Sequence, residues 1–177
     1  MLKKILIGVA ALIVVLVVVV AMQPADFKVS RTVAMAAAPA APFAEVNDFH
    51  RWQAWSPWAK LDPKMKVGFE GPPSGTGAIN TWAGNSDVGK GRATIVESRA
   101  DELVRMKLEF FEPFAATSTA QFAFKPEGAG TAVTWTMEGK NNFIGKAIGL
   151  FMDCDKMVGG QFEKGLAAIK AIVEKRA

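Results

Sequence analysis

The chain opens on eighteen residues without a charge, Ile5 to Met22, set behind Met1-Leu2-Lys3-Lys4. At ~1.5 Å per residue, a helix of that length reaches roughly 27 Å, near the ~30 Å hydrocarbon thickness of a bilayer. A single segment in lipid has to be helical, because only then does each backbone donor find its acceptor within the segment. A retained anchor and a cleaved secretory signal both begin this way. The run is longer than the ~7–15 apolar residues of a signal, and neither Ala21-Met22-Gln23 nor Gln23-Pro24-Ala25 offers the small-residue pair of a cleavage site, so the pattern favours the anchor. Lys3 and Lys4 precede the run and Asp26 follows it. The positive-inside rule then keeps the N-terminus in the cytoplasm and puts the rest outside it, periplasmic or extracellular. Residues 1–23 are read as cytoplasmic tip and transmembrane anchor, and 24–177 as one domain.

Beyond the anchor the period changes to two. Phe27, Val29 and Val33 alternate with Lys28, Ser30 and Thr32, which predicts a strand with Arg31 as the misfit on its apolar side. Pro42 to Val46 reads as a short helix opening on proline, and Phe49 to Trp55 as a second, ending before Ser56-Pro57 because a residue preceding proline avoids the helical region. Six further strands are expected: Lys66 to Glu70, Gly77 to Ala83, Gly91 to Ser98, Leu103 to Phe111, Phe114 to Lys125 and Thr131 to Gly139. The clearest has Val104, Met106, Leu108 and Phe110 alternating with Arg105, Lys107 and Glu109. Short links between neighbours predict an antiparallel meander. From Phe143 to Glu174 the period is helical, with Phe162, Leu166, Ile169 and Val173 on one stripe and Gly159-Gly160 as an expected interruption.

Composition narrows the classes. Without Lys3 and Lys4, 19 basic residues face 17 acidic ones, too even a balance for a nucleic-acid surface. One cysteine, Cys154, and one histidine, His50, leave no internal disulfide and few nitrogen or sulfur ligands for a metal, so neither metal nor cofactor is expected. Tyrosine is absent while five Trp and twelve Phe supply the aromatic surface, which favours apolar packing or an apolar pocket over hydroxyl chemistry.

The order of elements, with Trp52-Gln53-Ala54-Trp55-Ser56-Pro57-Trp58, Trp82-Ala83-Gly84 closing the Gly77 strand, Thr134-Trp135-Thr136-Met137-Glu138-Gly139 and Gly165-Leu166-Ala167-Ala168-Ile169-Lys170, resembles the helix-grip superfamily. That superfamily, SRPBCC or START-like, includes START lipid-transfer domains, the birch-pollen allergen group and the polyketide cyclase/dehydrase family. The resemblance covers Phe27 to the end. It implies an α+β helix-grip fold, a curved antiparallel sheet wrapped on a long C-terminal helix, here preceded by one transmembrane helix. It also implies an apolar ligand between sheet and helix.

The inward positions of the strands supply the candidate lining: Trp82, Met106, Phe110, Phe122, Phe124 and Trp135. Such residues are core by default, and the resemblance raises the cavity reading; methionine adapts to ligands of several shapes. Gly71-Pro72-Pro73-Ser74-Gly75 is placed at the cavity mouth. Arg31, Asn80 and Glu97 are the polar residues whose strand phase allows them to face inward and orient a ligand head. No catalytic constellation emerges. Gly84 to Gly91 comes within one residue of a phosphate loop, but strands flank it on both sides and a hairpin turn explains its glycines. His50, near Asp48 and Asp62, has no nucleophile beside it, and carboxylates on both sides of Cys154 raise its thiol pKa and disfavour thiolate. The leading reading is a membrane-anchored binder of a hydrophobic small molecule or lipid without turnover. A cyclase/dehydratase-type enzyme and an envelope protein-interaction module are the alternatives, and the residues name no protein partner.

Overall fold

Two periodicities divide the molecule, and they do so where the sequence pattern changes. The computed structural model describes residues 2–175, apart from the side chain of Cys154, so the expectation about that thiol lies outside the described residues. Helix α1 (Leu2–Met22) contains an 18-residue stretch of mean hydropathy 3.4 and is exposed along almost its whole length, with Val20 its buried residue. By length and composition it is a candidate membrane span or signal sequence.

Strand β1 (Asp26–Met35) follows after three residues. Then come α2 (Ala40–Asn47), a single 3-10 turn (Phe49–Arg51), α3 (Trp52–Trp55) and α4 (Pro57–Leu61). The turn after Trp55 falls at Ser56 as expected, but the chain re-enters a helix at once with Pro57 in its first turn, a short element that period alone does not reveal. The strands β2 (Lys66–Glu70), β3 (Ile79–Ala83), β4 (Lys90–Arg99), β5 (Leu103–Glu112), β6 (Ala116–Glu127) and β7 (Gly130–Lys140) form one seven-stranded antiparallel sheet in the order β1-β7-β6-β5-β4-β3-β2. Sequence neighbours pair throughout the meander, and only β1 reaches across to the last strand, with Asp26 opposite Lys140.

Alternation gives the sheet two unlike faces. Val104, Met106, Phe122, Val133 and Trp135 are buried on the inner one. The outer face is charged and hydroxylated: Arg92 and Lys107 both pair with Glu109 at 2.8 Å, and Ser30–Thr136 and Thr32–Thr134 hydroxyl pairs stand at 2.8 Å. Hydrogen bonds from Lys107 and then Arg92 hold the Glu109 carboxyl below its ordinary range.

The C-terminal helical run is two helices, α5 (Phe143–Gly149) and α6 (Cys154–Glu174). The break lies before Asp153, whose carboxylate accepts from the Lys156 backbone N–H at 3.1 Å and caps a new helix. Gly159-Gly160 does not interrupt α6, contrary to the sequence expectation. Gly159 instead makes room for Arg31, since a Cβ there would collide with the guanidinium. Arg31 does lie on the inner face, but its donors are consumed. Its Nε reaches Glu163 at 2.8 Å, its Nη2 reaches Asp155 at 2.8 Å, and further bonds go to the backbone oxygens of Ser30 and Asp155. It clips α6 to the first strand and is not available to a ligand head.

The Arg31 hydrogen bond lowers the Asp155 pKa below the ordinary carboxylate value. A depressed carboxyl contributes stability above its unfolded pKa and loses it as pH falls through the folded one. Acid unfolding monitored by circular dichroism is therefore expected to be shallower for Asp155→Asn below the ordinary carboxylate range. Gly159→Ala is expected to destabilise the native background by about 1–3 kcal/mol through overpacking. In an Arg31→Ala background the same change should turn neutral or stabilising by up to ~1 kcal/mol, from helix propensity alone.

Candidate functional site

A cavity of about 210 Å³ lies between the inner face of the sheet and α6, closed at one side by α3 and α4. Its floor is low because two central strands carry alanine there: Ala120 lies opposite Met106, and Ala93 opposite Leu108. Larger side chains rise around them. Asn80 and Trp82 come from β3, Met106 and Phe110 from β5, Trp135 and Met137 from β7, and Trp52, Trp58, Val158 and Phe162 from the helices. Trp82 lies across its strand partner Gly91, where any Cβ would strike the indole, so the glycine in the near-phosphate-loop serves ring packing. Residues 84–89 are the β3–β4 turn and Gly91 already lies in β4; Gly89 is in the left-handed region at φ 66°.

Trp135 forms the deepest wall. Its ring stacks on Phe162 of α6 at 4.1 Å and 8°, and on Phe122 of β6 at 4.5 Å and 30°. Trp55 and Trp58 meet it edge-on at 5.7 and 5.6 Å. Gly165 admits this approach, since a Cβ there would stand 2.8 Å from the indole. Trp52 and Trp55 place their own N–H groups on the Val46 and Glu45 carbonyls at 2.9 and 3.0 Å. Trp135 does not: its Nε1, and Oδ1 of Asn80, are buried without a protein hydrogen-bond partner among the described residues. Leaving such a group unmade costs about 1–3 kcal/mol, and both belong to residues that line the cavity. Ser56 and Asn80 are the polar side chains of the wall other than the indoles, and no titratable side chain among the described residues lines it.

A family model described as polyketide cyclase / dehydrase and lipid transport matches residues 26–174. The chain belongs to this family. The polyketide cyclase/dehydrase family fold extends to proteins of low sequence identity. A putative uncharacterized protein from Rhizobium leguminosarum is similar at 12% identity and a TM-score of 0.62, over 86% of this chain and 97% of that one. The di-domain ARO/CYC StfQ from the steffimycin biosynthetic pathway gives 12% and 0.62 over 86% of this chain and 52% of that chain. The major latex-like protein 151 from Panax ginseng gives 13% and 0.57 over 84% and 98%. No curated protein matches the sequence.

Within this family fold the expected lining residues part company. Trp82, Met106, Phe110, Trp135 and Asn80 all reach the cavity. Phe122 and Phe124 do not. Phe122 is the underside of the Trp135 stack, and Phe124 packs edge-on against Phe43 of α2 at 5.7 Å, so both serve the core. Glu97 faces outward, because a bulge after Ile95 takes up one residue and moves Glu97 opposite Arg105, with which it forms an ion pair. The loop Gly71–Gly75 is not at the mouth; it leans on α2, with the Gly75 N–H on the Asn47 carbonyl at 3.0 Å. His50 is exposed, bonded to Asp48 at 2.9 Å and stacked on Phe69 at 4.1 Å, away from the cavity. The other lining residues were missed: Ala93, Leu108, Ala120 and Met137 share the strands' inward phase, Trp52, Trp58, Val158 and Phe162 come from helices, and Ser56, Met65 and Val88 sit between elements, where strand phase gives no signal.

Asn80→Leu is expected to raise the stability of the ligand-free protein by about 1–3 kcal/mol, since it replaces an unpaired buried amide oxygen by a side chain of similar shape. Thermal unfolding of the wild type and variant after exhaustive delipidation checks this.

Proposed function

We propose that this protein binds a hydrophobic small molecule, or one chain of a lipid, in the cavity between the sheet and α6, without chemical turnover, while α1 anchors it in a membrane. One observation carries the reading: an apolar cavity stands between the sheet and α6, two of its lining residues, Asn80 and Trp135, each keep a buried polar atom without a partner, and no titratable side chain among the described residues lines its wall. Such a wall suits a mainly apolar molecule bearing one or two neutral polar groups. A dry apolar cavity of ~150 Å³ takes benzene. At about 210 Å³ the space suits a small ring system or a chain segment rather than an entire two-chain lipid. Met65, Met106 and Met137 in the wall allow several shapes. A cyclase-type reaction would have Asn80 and Ser56 as its polar groups there, since Glu97 and Arg31 are engaged elsewhere. Lys3 and Lys4 hold the short N-terminal tip on the cytoplasmic side in this reading, and the domain lies outside.

Native mass spectrometry of the full chain, released from membranes in mild detergent, tests the proposal. The expected spectrum shows an added hydrophobic mass that is reduced at least tenfold in Ala120→Leu, a variant that fills the cavity and keeps its melting temperature. A wild type free of added mass in every preparation, or equal retention by the filled variant, refutes it. Flotation of the full chain with lipid vesicles after alkaline washing checks the anchor.

A further inference from the structure

Ten large apolar side chains outside α1 are exposed among the described residues, and six of them fall in two segments. Phe111 and Phe114 flank the β5–β6 turn, and Phe143, Ile144, Phe151 and Met152 lie in α5 and the link to α6. The two segments adjoin: Phe114, Gly145 and Ile148 line one shallow groove. Phe151 is 82% exposed, a large apolar ring that packing leaves in the open. A cluster of this kind, on a fold whose core is otherwise closed, marks a contact surface.

Continuity with α1 identifies what covers it. Helix α1 packs its C-terminal end on α5, and Lys146 of α5 donates to the Ala21 carbonyl at 3.1 Å. Ile5 to Val19 expose apolar side chains all round, as a helix set in hydrocarbon does. The patch therefore begins where that helix leaves the domain.

We infer that the β5–β6 tip and the 143–152 segment form a second, shallow contact with the bilayer surface, beside α1. The occupant is the lipid interface itself, with Phe and Met rings at the boundary between headgroups and chains. The inference rests on the anchoring reading above. It adds an orientation: the groove under the patch shares Phe110 and Met137 with the cavity, so the cavity's near end is turned to the leaflet.

The test uses the full chain with Cys154→Ser and one new cysteine at a time, Phe151→Cys, Phe114→Cys or Val96→Cys, each carrying an NBD fluorophore. Val96, 48% exposed at the β4 bulge, is the control away from the patch. Proteins are reconstituted in phosphatidylcholine/phosphatidylglycerol vesicles with and without headgroup-region nitroxide lipid. The expected result is flotation with the vesicles and at least twofold quenching at positions 151 and 114, with none at 96. Flotation without quenching overturns the docking surface and leaves the anchor standing; failure to float overturns both. Blue-shifted emission that nitroxide lipid does not quench means that protein covers the patch, and also overturns the inference.

Discussion

Trp135 held between Phe162 and Phe122 is the contact on which the rest of the domain is built. Stacked aromatic pairs contribute about 0.5–1.5 kcal/mol beyond the area they bury, and two such contacts share this one ring. Through it the last helix and the middle of the sheet belong to a single core. The stack is also a spacer. Three rings in series prop α6 away from the alanines at 93 and 120, and the space so held open is the cavity. An aliphatic residue at 135 would remove both stacked contacts at once and leave the helix without its spacer.

The division between core and cavity was the part that pattern reading left open. Alternation along β5 and β7 placed Met106, Phe110 and Trp135 on the inner face, and the structure has them there. It could not separate Phe122 from Trp135, because both point inward and the difference is which ring lies under the other. Glu97 shows a second limit: one bulged residue reverses every later side chain on a strand, and nothing in Ile95-Val96-Glu97 announces the bulge. Arg31 was legible as a misfit, and Gly159 as a misfit of its own. That the two misfits answer each other, a guanidinium fitting where a helix lacks a Cβ, is a contact between residues far apart in sequence, which periodicity cannot express.

Charge and apolar surface are sorted onto different faces with little mixing. Ion pairs such as Arg92–Glu109 and Lys90–Glu112 occupy the outer side of the sheet, where water screens them and each is worth little. The inner side keeps two neutral polar atoms without partners. A wall of this kind carries shape and neutral surface, with no titratable side chain among the described residues.

The pairing of β1 with β7 ties the start of the domain to its end. Asp26 finds Lys140 more than a hundred positions later, so the first strand of the domain pairs with the last. The six-strand meander closes from contacts between sequence neighbours, whereas β1 and α6, which packs mainly on β1, meet across the length of the domain, and long-range contacts of this sort form slowly. Since β1 follows α1 after three residues, the domain is joined to its apolar helix at that same strand. The two ends of the domain, β1 beside its apolar helix and the β7–α6 end, are joined only by contacts that span the whole chain.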